Sequence, residues 1–224
     1  MPAGGVVRTL IHHERNKAQA ASLALSPDEK TIYASDVRRI NYRDLKYGLN
    51  INKVLKFGWD DKTPKNFPAE SAGGNANFND PKGICTDKDG NVFICDKGNN
   101  RVAIFKPDGS FLGAMKVTSP ERVAVHPKTG AVYVLGGAFI SDVLKFASWK
   151  SSEPMAKAKL GICRHRDYRV TMALEYTGAK PSLWFGSGRG HWCKPGPKTS
   201  FLRMEDKGGS FGAVSYTHLR AHET

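Results

Sequence analysis

Two short segments carry side chains whose types and spacing suit metal chemistry. Cys163-Arg164-His165 and His191-Trp192-Cys193 form a mirrored pair, Cys-x-His and His-x-Cys. In an extended segment residues i and i+2 point the same way, so each segment directs one thiol and one imidazole to one side. Two sulfurs and two nitrogens suit tetrahedral zinc at about 2.0–2.3 Å, although the one-residue spacer is shorter than the usual two to four. A Cys163–Cys193 disulfide needs a single contact and is the alternative in an oxidising compartment. Four unrelated surface residues are the third reading.

A different chemistry is offered by Asp96-Lys97-Gly98-Asn99-Asn100-Arg101. Asp and Asn side chains accept from backbone amides in tight turns, and Gly98 and the asparagines tolerate left-handed backbone, so this stretch reads first as a built turn. Direct ligand contact by Arg101 is the competing reading. The sequence has no Gly-x-Ser-x-Gly elbow and no phosphate loop. Cys85 and Cys95 sit among Ile84, Val92, Phe93 and Ile94 and read as small buried hydrophobes.

The elements that must position these residues are short strands. Phe78–Val117 divides into Gly83–Asp87, Asn91–Asp96, Arg101–Lys106 and Phe111–Val117, separated by Asp89-Gly90, Gly98-Asn99-Asn100 and Pro107-Asp108-Gly109. Such a meander is one propeller blade. Its Pro-x-Gly-Ile, Asp-Gly-Asn, Asp-x-Gly-Asn-Asn-Arg-Val and Phe-x-Pro-Asp-Gly resemble the NHL repeat. The expected fold is therefore all-β, a propeller of four-stranded antiparallel blades.

Three further segments align to that blade by turn glycines and flanking apolar strands. Residues 21–36 repeat its first hairpin, with Ile40–Leu45 and Ile51–Phe57 expected as outer strands. Residues 122–136 repeat it with Gly130 at the turn, about forty residues after Gly90, and Asp142–Ala147 as third strand. Val170–Glu175, Ser182–Gly186, Ser200–Asp206 and Phe211–Val214 make a fourth. Val6–Ile11 is expected as an additional N-terminal strand. The resemblance implies six blades, for which about four are present, so residues 1–212 are expected to be an incomplete ring. VSYTHLRAHET resembles a translated sequencing-library adapter, and 213–224 is expected to be a non-native tail.

Antiparallel strands reverse at each turn, so the loop entering each blade and the loop between its second and third strands share one face, here called the top. Lys82, Lys97, Asn99, Asn100, Arg101, Arg122 and Lys194 are the candidate ligand-binding residues there. The chain has 34 Lys and Arg against 21 Asp and Glu, a net charge of +13. That excess favours an anionic partner. The expected role is a binding scaffold that presents a basic, loop-rich face to a protein or an anionic polymer. Single-stranded RNA is one such polymer, for which Trp59, Phe67, Phe78 and Trp192 are the stacking candidates. The alternative from the resemblance is a metal-dependent lactonase-like or amidating-lyase-like enzyme using zinc or calcium, for which the resemblance implies Glu121, Asp80 and Asn100 as oxygen ligands. Neither a signal peptide nor an apolar run long enough for a transmembrane helix is visible, and the compartment stays open.

Overall fold

The computed structural model describes residues 17–19, 22–40, 49–50, 52–68, 70–137, 140–163, 170–188, 199–212 and 215–217. Nineteen strands run through them in chain order. The first seven are β1 (Lys17–Gln19), β2 (Ser22–Leu25), β3 (Thr31–Ser35), β4 (Arg38–Ile40), β5 (Leu49–Asn50), β6 (Val54–Gly58) and β7 (Lys65–Phe67). Then come β8 (Pro81–Thr86), β9 (Val92–Asp96), β10 (Arg101–Phe105), β11 (Phe111–Lys116), β12 (Arg122–Val125), β13 (Val132–Gly136), β14 (Ile140–Phe146) and β15 (Ala156–Cys163). The last four are β16 (Val170–Glu175), β17 (Ser182–Gly188), β18 (Thr199–Glu205) and β19 (Ser215–Thr217).

They form four antiparallel four-stranded sheets, β2-β3-β6-β7, β8-β9-β10-β11, β12-β13-β14-β15 and β16-β17-β18-β19, arranged as the blades of a β-propeller. A smaller sheet, β1-β4-β5, follows the same order as β2-β3-β6, because each of its strands is the top-side extension of a blade 1 strand. Two left-handed residues, Asp36 (φ 50°) and Asn52 (φ 49°), interrupt the extended strands where the small sheet begins.

Each blade starts at the inside: β2 lies beside β8, β8 beside β12 and β12 beside β16. At one place two inner strands almost touch. The amide of Gly83 donates to the Glu121 carbonyl at 2.9 Å, and a Cβ on Gly83 would lie 2.7 Å from both the Arg122 Cα and the Glu121 oxygen. Glycine is required there for packing.

A twisted sheet has two faces to cover, and the apolar cores accordingly lie between blades. Tyr33, Phe67, Phe78, Ile84, Ile94 and Phe105 fill the space between blades 1 and 2. Phe93, Cys95, Ile104, Val123, Val134 and Phe146 fill that between blades 2 and 3. Leu135, Val143, Leu183, Phe185, Leu202 and Met204 do the same for blades 3 and 4.

The hairpins on the far side from the rim repeat one device. The residue closing the first strand caps its own turn: Ser26 Oγ accepts from the Thr31 amide, Asp87 from Asp89 and Asn91, His126 Nδ1 from Lys128 and Thr129, and Glu175 from Thr177 and Gly178. These side chains satisfy turn amides that no ladder reaches.

Blade 2 follows the sequence expectation strand by strand. Blade 1 does not: its third strand is β6 and its fourth β7, whereas Ile40–Leu45, expected as an outer strand, begins in the top-side extension and continues outside the described residues. In blade 4 the fourth strand is Ser215–Thr217, paired with Phe201–Arg203, rather than Phe211–Val214. It falls within the tail expected from sequence to be non-native. The N-terminal strand expected at Val6–Ile11 lies outside the described residues.

Candidate functional site: the top rim between blades 1, 2 and 3

At the rim of blade 2, β9 ends in Asp96, a short 3-10 turn spans Lys97–Asn99, and Asn100 takes left-handed backbone (φ 53°) before β10 begins. Asp96 is fully buried. Its Oδ1 accepts from the Asn79 amide at 2.8 Å, and its Oδ2 from Asn99 Nδ2 at 2.8 Å and Arg101 Nε at 2.7 Å. The guanidinium reaches on, Nη2 donating to the Asn75 carbonyl at 2.9 Å. Asn99 Nδ2 also donates to the Asn77 carbonyl, and Asn100 Oδ1 accepts from the Ser119 amide, both at 2.9 Å. One carboxylate and its neighbours thus hold together the loop entering blade 2, the turn within it and the loop leading to blade 3. A Cβ on Gly98 would collide with the Asn79 side chain, which explains the glycine between Asp96 and the asparagines.

The other rim cations carry carboxylate or carbonyl partners. Lys82 is buried on the inner strand, with Nζ 2.9 Å from Asp36 Oδ1 and 2.8 Å from Asp80 Oδ1. Both aspartates stand on left-handed backbone (φ 50° and 54°), so the turns are bent to bring the two carboxylates onto one ammonium. The Ser35 hydroxyl donates to the Lys82 carbonyl and ties blade 1 to blade 2. Lys97 Nζ lies 2.6 Å from Glu121 Oε1, and Arg122 Nη1 donates to the Glu121 carbonyl at 2.8 Å. Lys82, Lys97, Asn99, Asn100, Arg101 and Arg122 therefore share one rim, joined to it by intramolecular bonds. Lys194, His165, His191 and Cys193 lie outside the described residues. Of Cys163 only the backbone is described, pairing with Ile140 at the end of β15. Among the described residues no three His, Cys, Asp or Glu side chains are grouped to hold a metal.

Beside this rim, where blade 1 hands over to blade 2, a cleft of about 620 Å³ opens. Asn52, Lys53, Asn66 and Asn77 give it polar walls, while Phe67, Pro68 and Phe78 give it an apolar side. Among the described residues no carboxylate lines it, and Lys53 is exposed.

Residues 78–105, which span the first three strands of blade 2 and the whole Asp96–Arg101 turn, match the family model for the NHL repeat. The chain is a β-propeller that carries an NHL repeat. A solved structure shares the fold at low identity, and others match part of the chain. A Bacteroides uniformis protein provisionally named a 6-phosphogluconolactonase superposes with a TM-score of 0.50 and 16% identity over 90% of this chain and 54% of its own. A gluconolactonase of Xanthomonas campestris (TM-score 0.37, 22% identity) is matched over 53% of this chain and 35% of its own. The calcium-binding protein regucalcin of Agrobacterium tumefaciens (0.33, 18%) is matched over 51% and 36%. The NHL propeller thus spans between about a third and about half of the length of these relatives.

One polar cluster of the propeller escapes sequence reading. Tyr133 on β13 pairs across the ladder with Lys145 on β14, and both face blade 4. The Tyr133 hydroxyl donates to Asp206 Oδ2 at 2.5 Å, and Lys145 Nζ lies 2.7 Å from the same oxygen. Lys145 also donates to the Gly208 carbonyl at 2.8 Å. All three side chains are buried. Burial raises the Tyr133 pKa, and the neighbouring carboxylate raises it further. Burial also acts to raise that of Asp206, but hydrogen bonds from Lys145, Tyr133 and the Gly208 amide outweigh it, and the net shift is downward. The signal in the sequence is faint: a tyrosine in the second strand opposite a lysine in the third, as Tyr33 and Lys56 also stand in blade 1.

Proposed function

We propose that this NHL propeller is a binding scaffold whose top rim receives an anionic polymer or an acidic protein surface. The carrying observation is the cleft between blades 1 and 2, with its single lysine, three carboxamides and aromatic side, set in a chain of net charge +13. Amides and an ammonium recognise phosphate or carboxylate oxygens and their neighbours, and a cleft with no acidic side chain among its described residues does not repel them. The Asp96 and Lys82 networks keep the rim rigid, which lowers the ordering cost of binding. Residues that do not build the rim are the ones to vary. Lys53→Ala with Lys194→Ala should weaken binding of single-stranded oligouridylate or heparin and reduce the salt slope by roughly one unit for each phosphate that is no longer neutralised.

Lys82→Ala and Arg101→Ala are expected instead to lower stability, because they break buried ion pairs. A polymer affinity absent at physiological salt, or unchanged in the double variant, leaves an acidic protein as the partner. The lactonase-like alternative, with calcium or zinc, is read separately by lactone hydrolysis with each ion added.

A further inference from the structure

The cleft between blades 1 and 2 has walls of two kinds. One comes from the paired strands β6 and β7, where Val54 stands opposite Phe67, with Lys53 and Pro68 beside them. The other is Gly73, Ala76, Asn77 and Phe78, from the connection that carries the chain from β7 to β8. A segment outside any ladder must find other partners for its backbone. Local turns supply two, the Asn77 amide donating to the Gly74 carbonyl at 3.2 Å and the Phe78 amide to the Ala76 carbonyl at 2.9 Å. The Asp96–Arg101 turn supplies the rest by gripping every second residue. Arg101 Nη2 donates to the Asn75 carbonyl and Asn99 Nδ2 to the Asn77 carbonyl, both at 2.9 Å. The Asn79 amide donates to Asp96 Oδ1, and the Asn79 carbonyl accepts from the Gly98 amide, both at 2.8 Å.

Arg101 itself has little left for a ligand. Its Nε lies 2.7 Å from a fully buried carboxylate, its Nη2 is engaged by Asn75, and its side chain is only 19% exposed. Its charge is therefore matched inside the protein. We propose that Arg101 and Asn99 are positioning residues for the cleft: they hold the 75–79 wall against blade 2, and an anionic polymer seated in the cleft depends on a guanidinium that it does not touch. The proposal rests on the reading of this cleft as the seat of such a polymer. It separates two kinds of cation at one rim. Lys53, exposed on the other wall, meets the ligand, whereas Arg101 sets the shape of what the ligand meets.

Heparin and single-stranded oligouridylate, each titrated into the full chain over a series of salt concentrations, test this, with far-UV circular dichroism confirming that each variant keeps its strands. Arg101→Met and Arg101→Lys are both expected to weaken binding about five- to tenfold and to leave the salt slope as it is, because no ligand anion loses its cation. Lysine keeps the charge but lacks the second arm that holds Asp96 and Asn75 together, so it does not rescue. Hydrogen exchange should show the amides of Asn77, Phe78 and Asn79 losing protection while β9 keeps its own. Asn77→Leu should cost less affinity in Arg101→Met than in the wild type, whereas Lys53→Ala should cost the same in both. If Arg101→Met fails to fold with Asp96 unpaired, Asn99→Leu, which keeps that ion pair and releases the Asn77 carbonyl, carries the same comparison. Wild-type affinity in Arg101→Lys, or a slope that falls by about one unit in Arg101→Met, makes the guanidinium a ligand contact and overturns the proposal. Weaker binding with the three amides still protected overturns it too. Unchanged affinity in variants whose wall has lost protection overturns it and leaves the polymer reading standing, whereas a wild type that binds neither polymer overturns both.

Discussion

Tyr133, Lys145 and Asp206 give the chain its sharpest residue-scale behaviour, because all three are buried, and burial together with the hydrogen bonds among them shifts the proton affinities of Tyr133 and Asp206. The folded state raises the Tyr133 pKa, so it holds that proton after the unfolded chain has lost it. The stabilisation is therefore complete below the unfolded tyrosine value of about 10 and declines as pH rises beyond it. Tyr133→Phe should cost about 1–2 kcal/mol at neutral pH, through the donor removed from Asp206, and should flatten the decline in urea midpoint between about pH 9 and 11. An unchanged alkaline slope in the variant would show that the hydroxyl is not the titrating group. Removing one charge is more severe: Lys145→Ala leaves Asp206 buried without its cation, with an expected loss of about 3–5 kcal/mol in denaturant unfolding. Cys85 and Cys95 behave oppositely, as inert groups. Burial pushes both thiols far above their ordinary range. Neither should react with a thiol reagent until the protein is unfolded, which peptide mapping after timed labelling would read.

At the scale of strands and turns, close approach decides what can change. Gly83→Ala would push β8 away from β12 at the Glu121 carbonyl, for an expected loss of about 1–3 kcal/mol. Gly74→Ala, with nothing within 4 Å, should be near neutral, and urea midpoints of the two variants make the comparison. The legibility of the elements follows the same physics. Blade 2 could be read because its turns are short and each is marked by residues that only a turn needs: Asp89-Gly90, Gly98-Asn99 and Asp108-Gly109. Blade 1 misled at Ile40–Leu45, since an apolar alternating stretch fits any strand. Its true third strand is fixed by tertiary pairing, Tyr33 opposite Lys56 and Ile32 opposite Phe57. That information is in no single segment. At the candidate site, the turn role of Asp96–Arg101 was visible from residue types. The pairing of Lys82 with Asp36 and the cleft beside Lys53 were not, because each joins segments that only the docking of blade 1 on blade 2 brings together.

Across the whole molecule the junctions between blades differ in kind, and this should make their stabilities diverge with pH. Between blades 1 and 2 the core is a chain of edge-to-face aromatics, Tyr33 with Phe67, Phe67 with Phe105, and Phe105 with Phe78 and Phe111, at centroid distances from 4.9 to 6.1 Å, and the Lys82–Asp36 ion pair joins the two blades at the rim. None of these rings changes charge in acid. Between blades 3 and 4 the apolar core is crossed by the Tyr133–Asp206–Lys145 cluster, which depends on an ionised carboxylate. The folded state lowers the Asp206 pKa, so its contribution is present above the unfolded aspartate value of about 4 and is lost as pH falls through the lower folded value. Below that point Lys145 is left buried within the core of its junction without a counter-charge, while the aromatic core between blades 1 and 2 is untouched and only the pairing of Lys82 at its rim is ionic. Blade 4 should then loosen first. Hydrogen exchange between about pH 2.5 and 4, corrected for the intrinsic rate, is expected to show amides of β16–β18 losing protection before those of β8–β10. In Asp206→Leu with Lys145→Met and Tyr133→Phe, an apolar replacement of the whole cluster, the two regions should lose protection together. Equal acid sensitivity of blades 2 and 4 in the wild type would mean that the ionic junction does not govern the order of opening.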